Sequence, residues 1–352
     1  MTFTDKITSI MPNVYFLYQG ARFIKRKNNS EIKKISDEFK KIDSISNFSG
    51  FVDKVQSLIA SDNVIRAVYP NSENTMYGHL LNFYEYAGLE FQETPFICVE
   101  HGVNFLMDDM PRFKYEVSTV MLFQSNYKRE MIHRTDPLKP VFAVGPYVHY
   151  AKPYYDDEKL HKIKSKSGKT IVIYLGHTWE KTSVERDIYE YIKIIRRFQK
   201  EYDSIVFCLY WTDCRHELID TLSKEDKVHF VSAGYRGDPL FLSRTRTIIE
   251  MADTIAGNDI GTYIGYALYL NKPIVYLDTA DRVTSTVYSP NLQIGEENKR
   301  RIVNAMKNDY QQLSEDLYNE FWGGDCIKTP EDMRSILLLA DQIAKEAHGF
   351  KK

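Results

Sequence analysis

The chain has 352 residues, a formal net charge of −2, 43% hydrophobic residues and 27% charged ones. That length exceeds one ordinary core and suits two domains, and the near-neutral charge excludes a global pull toward nucleic acid. No apolar run reaches the roughly 20 residues a membrane span needs, and the first residues lack the basic-then-apolar pattern of a signal peptide, so a cytoplasmic protein is expected.

In chain order, Val14–Tyr18 reads as a short strand, and Glu31–Lys41 and Phe51–Ile59 carry helical spacing of apolar residues. Asn63–Tyr69 is a β-branched run closed by Pro70, the signature of a buried strand. Ser72–Ala87 has helical period and stops at Gly88. Pro95–Glu100, Ser118–Gln124 and Val141–Val144 read as further buried strands, with a helix running to Ile132 between the last two. The segment Tyr147–Lys169 is charged and rich in Pro–aromatic pairs, as expected of an interdomain connection.

A second series follows it. Strands are predicted at Thr170–Leu175, Ser204–Tyr210, Val228–Val231, Thr254–Ala256 and Pro273–Leu277. Helices are predicted at Val184–Tyr202, Arg215–Leu222, Pro239–Ala252, Thr262–Leu270, Glu296–Phe321 and Pro330–Ala347. Apolar strands alternating with amphipathic helices imply parallel sheets covered on both faces. The expected fold is therefore α/β, with two Rossmann-like domains, residues 1–148 and 149–352, facing across a cleft. Ligands in such sheets sit beyond the carboxyl ends of the strands.

Several motifs fail. Ser167-Gly168-Lys169-Thr170 has the ending of a P-loop, but Ile163 stands where its first glycine belongs and the segment precedes a strand. The cysteines Cys98, Cys208, Cys214 and Cys326 have no ligand-like spacing, and no D-x-D triplet occurs, so no metal and no cofactor are expected. Buried thiols in a reducing compartment are the expectation for the cysteines.

The stretch 252–277, ADTIAGNDIGTYIGYALYLNKPIVYL, is the most informative. A short strand ends at Gly257-Asn258-Asp259 and a helix starts near Gly261-Thr262. Free N–H groups at that helix start, with the positive end of its dipole, suit a diphosphate. Gly261 admits a phosphate to the backbone, Thr262 offers a hydroxyl, and Gly265 and Ala267 let the helix pack closely. The plain alternative is a capped helix whose glycines serve packing.

This strand, loop, G-x-x-x-G/A helix and Lys272-Pro273-Ile274-Val275 strand resemble the C-terminal domain of GT-B glycosyltransferases and the related nucleotide-sugar 2-epimerases. The strand Val141–Val144 leading to Gly145-Pro146 resembles the crossover from the N- to the C-terminal domain in such enzymes. Gly176-His177-Thr178 follows the first strand of the second domain, where these enzymes place a glycine and polar residues. The glutamate common downstream of the loop is absent, with Tyr266 or a neighbour in its place. The resemblance implies that Asn258, Asp259, Gly261, Thr262, Gly176, His177 and Thr178 line a nucleotide-sugar site.

Glu100-His101-Gly102 follows a buried strand on the other side of the expected cleft. Either Glu100 or His101 could act as the base for an acceptor hydroxyl. Arg236, Arg244 and Arg246 are candidate cations for the leaving phosphate, Arg244 foremost. The basic run Arg22–Lys41 reads as a solvated helix face, with peripheral contact with an inner membrane as the alternative.

The expected activity is metal-independent transfer of a sugar from a nucleotide-sugar donor to a glycan or lipid-linked acceptor, as in bacterial surface polysaccharide assembly. A nucleotide-sugar 2-epimerase and a non-catalytic carbohydrate- or partner-binding protein are the alternatives.

Overall fold

The computed structural model describes residues 34, 37–60, 73–91, 97–103, 105, 120–177, 182–214, 216–279, 281–285, 292–308 and 313–348. The expected strands Val14–Tyr18 and Asn63–Tyr69, most of the basic run and Thr178 lie outside them. In chain order, helix α1 (Phe48–Ala60) is followed by a 3-10 turn (Glu73–Gly78), α2 (His79–Tyr86), β1 (Ile97–Val99), β2 (Val120–Phe123), α3 (Asn126–Thr135) and β3 (Val141–Ala143). After a 3-10 turn at Tyr147–Tyr150 come α4 (Asp157–Ser167), β4 (Thr170–Tyr174), β5 (Thr182–Glu185), α5 (Ile188–Phe198), β6 (Ser204–Cys208), α6 (His216–Leu222) and β7 (Val228–Val231). The chain continues with α7 (Phe241–Met251), β8 (Thr254–Gly257), α8 (Thr262–Tyr269), β9 (Ile274–Tyr276) and β10 (Arg282–Ser285). Helices α9 (Leu292–Asn308), α10 (Glu315–Trp322) and α11 (Pro330–His348) follow. None of the helices among the described residues is long and apolar enough to cross a membrane.

The α/β arrangement expected from the sequence is the one observed. The first sheet is parallel, in the order β1-β2-β3, and the second is parallel in the order β7-β6-β4-β8-β9. In the second sheet the chain builds outward from β4 to β6 and β7, then returns to the other side of β4 with β8. That reversal opens a crevice at the carboxyl ends of β4 and β8.

Both faces of the second sheet are covered. Ile171, Ile173, Ile205 and Phe207 pack with Tyr191 and Ile195 of α5 and with Phe51, Val52 and Val55 of α1. Val172, Val206, Val231 and Ile255 share the opposite core with Ile248 of α7 and Ile264 of α8. That core continues without a break into Ile97, Val99 and Leu122 of the first sheet and Trp322 of α10.

Four local expectations are corrected. Residues 37–60 pack on the second sheet, not the first: Ser44 Oγ donates to the Ser232 carbonyl at 2.7 Å, and Phe48 stacks on Phe230 at 5.7 Å. The expected connection contains α4, a charged helix capped by Asp156, whose carboxylate accepts from the Lys159 N–H at 2.8 Å. The helix expected from Val184 starts at Ile188, because Thr182–Glu185 pairs antiparallel with Arg282–Ser285 as β5 and β10. The expected helix Glu296–Phe321 is two, α9 and α10, the second capped by Ser314. Helix α11 returns to pack on α2 in the N-terminal half. All four cysteines are buried free thiols.

Two expected details acquire reasons. Lys272 donates to the Glu250 and Ala252 carbonyls at 3.1 and 2.6 Å, so it satisfies the exposed end of α7 before β9 begins. Gly265 packs against α10 and not against the sheet, since a Cβ there would lie 2.1 Å from Trp322 Cδ1. Trp322 in turn donates its indole N–H to the Gly261 carbonyl at 3.3 Å, seating the start of α8. Gly265→Val should therefore destabilise the protein by about 1–3 kcal/mol through overpacking, measured by urea denaturation with the wild type alongside.

Candidate functional site

The crevice at the sheet reversal is spanned by one hydrogen bond. The Gly176 N–H, just past β4, donates to Asn258 Oδ1, just past β8, at 2.8 Å. The amide nitrogen of Asn258 lies 2.8 Å from Tyr191 OH, 3.0 Å from Thr279 Oγ1 and 2.7 Å from Asp281 Oδ2. Every polar atom of this side chain is engaged. Asn258 therefore braces the loops around the crevice.

Beyond it the loop leads into α8. Gly261 has extended backbone, φ −143° and ψ −175°, and no side chain caps the helix that it begins. Asp259 is exposed, with Oδ1 accepting the Ile260 N–H at 2.8 Å. Thr262 Oγ1 accepts the Val103 N–H at 2.9 Å and keeps its own proton to donate. Gly102 has no side chain where a Cβ would stand 2.9 Å from that same oxygen. The loop after β1 and the start of α8, one from each half, thus meet directly.

Glu100 and His101 part company at that meeting. Glu100 is 5% exposed, and its charge helps to raise the hydroxyl pKa values of Tyr147 and Tyr266, which burial already pushes up. His101 is exposed. Of the two, His101 is the one a substrate can reach.

His177 sits past Gly176 with its ring 4.4 Å from that of Tyr210, centroid to centroid. Its ring is accessible, yet the surrounding walls strip enough water to lower its pKa. Asp213 and Asp259 oppose that shift, while His101 and Arg186 add to it. These four groups act on the imidazole electrostatically.

Arg186 is the functional candidate that sequence reasoning missed. It follows β5, donates from Nη2 to the Gly176 carbonyl at 2.5 Å and lies 3.3 Å from Asp213 Oδ1. Its side chain is 10% exposed, against 3% for Asp213, and its Nε has no hydrogen-bond partner. The signal was hidden because Arg186 was read as lying inside a helix; only the β5–β10 pairing brings it to the crevice.

Arg244 is corrected in the opposite sense. It is 1% exposed, ion-paired to the fully buried Asp238, and donates to the Ile42 carbonyl at 3.0 Å. The guanidinium ties α7 to the segment before α1. Arg246 likewise binds the Ala151 carbonyl at 2.7 Å and Glu250 at 2.8 Å. Among the described residues no group of three His, Cys, Asp or Glu side chains comes together as a metal ligand set.

No protein-family model matches the chain, and no curated protein matches it. Solved structures do. A UDP-GlcNAc 2-epimerase from Methanocaldococcus jannaschii, in complex with UDP-GlcNAc and UDP, is 15% identical over 83% of this chain and 80% of its own, with a TM-score of 0.43. The wall teichoic acid polymerase TagF is 14% identical over 73% of this chain and 70% of its own, with a TM-score of 0.41. Arabidopsis thaliana UGT89C1 is 9% identical over 88% of this chain and 77% of its own, with a TM-score of 0.35. The likeness to each is loose.

Two outcomes test this geometry. Asp238→Asn, which leaves the Arg244 charge buried without its partner, should cost about 3 kcal/mol of stability in denaturant titrations. Burial lowers the His79 pKa to about 3, well below an unfolded value of about 6.5. The imidazole is neutral in both states above about pH 6.5; as pH falls, the unfolded chain takes up the proton first and stability drops. His79→Gln should remove about 2 kcal/mol of the decline between about pH 6.5 and pH 5, read from denaturation curves at each pH.

Proposed function

We propose that the chain is a GT-B-like glycosyltransferase that moves a sugar from a nucleotide-sugar donor to a hydroxyl acceptor. The observation that carries this reading is the uncapped start of α8 at the sheet reversal, faced by Gly102 and Val103 of the other half. A diphosphate seated there accepts from the free N–H groups of the first turn and from the Thr262 hydroxyl. Arg186 and His177 supply the remaining donors, and Asp259 suits a sugar hydroxyl better than a phosphate, which it would repel.

In the transfer step the acceptor hydroxyl adds to the anomeric carbon and its proton passes to His101. The bond from that carbon to the diphosphate oxygen breaks, and the electron pair leaves with the phosphate. Charge grows on that oxygen, and donors from the helix start, Arg186 and His177 stabilise it, which lowers the barrier. A glycan or a lipid-linked acceptor fits this chemistry equally.

A second reading, a nucleotide-sugar 2-epimerase, is favoured by the charged and titratable groups whose fields reach His177. Asp213, Asp259, His101 and Arg186 all act on that ring. Removing and returning a proton at one sugar carbon requires such a cluster. Incubation with a UDP-N-acetylhexosamine alone tells the two apart, because only an epimerase changes it without an acceptor.

Melting curves with UDP, GDP, CDP and CMP test the site itself. At least one should raise the melting temperature, and silence from all four would sink the proposal. His101→Gln should keep that shift while lowering turnover by about 10²–10⁴-fold, the span of general base catalysis.

A further inference from the structure

The turn before α2 reaches across to the second half in an unusual conformation. Tyr77 and Gly78 are both left-handed, with φ +59° and +70°. A bulky aromatic residue seldom occupies that region, and it persists where the surroundings hold it. At Gly78 a Cβ would stand 2.1 Å from the Pro239 carbonyl oxygen, so only glycine allows the approach.

The contacts of Tyr77 explain why the conformation is held. Its N–H donates to the Arg236 carbonyl at 2.7 Å, and its ring lies 4.6 Å from that of Phe241. Its hydroxyl shares a 3.0 Å hydrogen bond with the Tyr210 hydroxyl, and the Tyr210 ring is the one that meets His177 at 4.4 Å. The next residue but one, His79, is buried, engages the main chain of Glu100 and acts electrostatically on His101. One turn therefore touches both walls of the crevice: the His177 wall through Tyr210, and the Glu100–His101 loop through His79.

We propose that Tyr77 is a positioning residue for the donor nucleotide, holding His177 at the phosphate end of the crevice through its hydrogen bond to Tyr210. This rests on the nucleotide-crevice reading above. Tyr77 touches no reacting atom; it fixes the imidazole that does. Because the same turn supports the His101 loop, docking of the N-terminal half and readiness of the donor site come as one event.

The test is calorimetric titration of UDP, GDP and CDP into the wild type, Tyr77→Phe, Tyr210→Phe and the double variant. Each single change removes one hydroxyl and leaves the rings in place. Each should weaken the bound nucleotide about three- to tenfold, the effect of one lost hydrogen bond, and the double variant should be no weaker than either single. The melting temperatures of the nucleotide-free variants provide the second readout. Lower melting temperatures with unchanged affinity would mean a merely structural tyrosine and would overturn the inference alone. Losses that add in full in the double variant would overturn it too, since the two hydroxyls would then act separately. If the wild type binds none of the three, the crevice reading falls and takes this inference with it.

Discussion

The crevice depends on a single amide. Asn258 stands where the strand order reverses, and its side chain both accepts from the β4 side and donates toward the β9 side. An aspartate could accept from Gly176, but it would present a second carboxylate to Asp281 and lose the donor. A leucine would leave the Gly176 N–H unmade in a half-buried place, which costs more than the bond itself contributes. Asp259 is the next residue, the loop of His177 is one hydrogen bond from this amide, and Arg186 joins that loop by a second through the Gly176 carbonyl.

Burial decides what each arginine does. Arg244 and Arg186 both face a carboxylate, yet the first is 1% exposed and the second 10%. A sealed pair holds two segments together and offers nothing to a ligand. A pair that keeps some exposure beside a cleft can turn its guanidinium toward a ligand, and a guanidinium is a planar fork matched to phosphate oxygens. The same residue type in the same half of the chain thus ends as mortar in one place and as a candidate contact in the other.

Much of the fold was legible in the chain. The strands of the second sheet announce themselves as β-branched runs such as Thr170–Tyr174 and Ser204–Cys208, because strands buried on both faces leave no polar alternation to confuse them. The start of α8 was legible too, through Gly261 and Thr262. What escaped was whatever depends on partners distant in sequence. Thr182–Glu185 carries no strand signal of its own and becomes a strand only by meeting Arg282–Ser285, which is also why Arg186 went unnoticed. Helix α4 has little apolar periodicity and was passed over, though Asp156 followed by two acidic residues is a helix-start signature. Asn258 and Arg244 carried the right residue types for a ligand site, and only their neighbours reveal that they are already engaged.

The placement of α1 sets an order on the making of the molecule. Its apolar face, with Phe51, Val52 and Val55, has its partners on strands more than a hundred residues downstream. During synthesis from the N-terminus that face waits uncovered while the whole first sheet is made. It can be buried only after β4 and β6 have emerged. Contacts of such long sequence separation form late and slowly, and exposed apolar surface invites association meanwhile. Helix α1, near the start of the described chain, is therefore among the last elements to find its place.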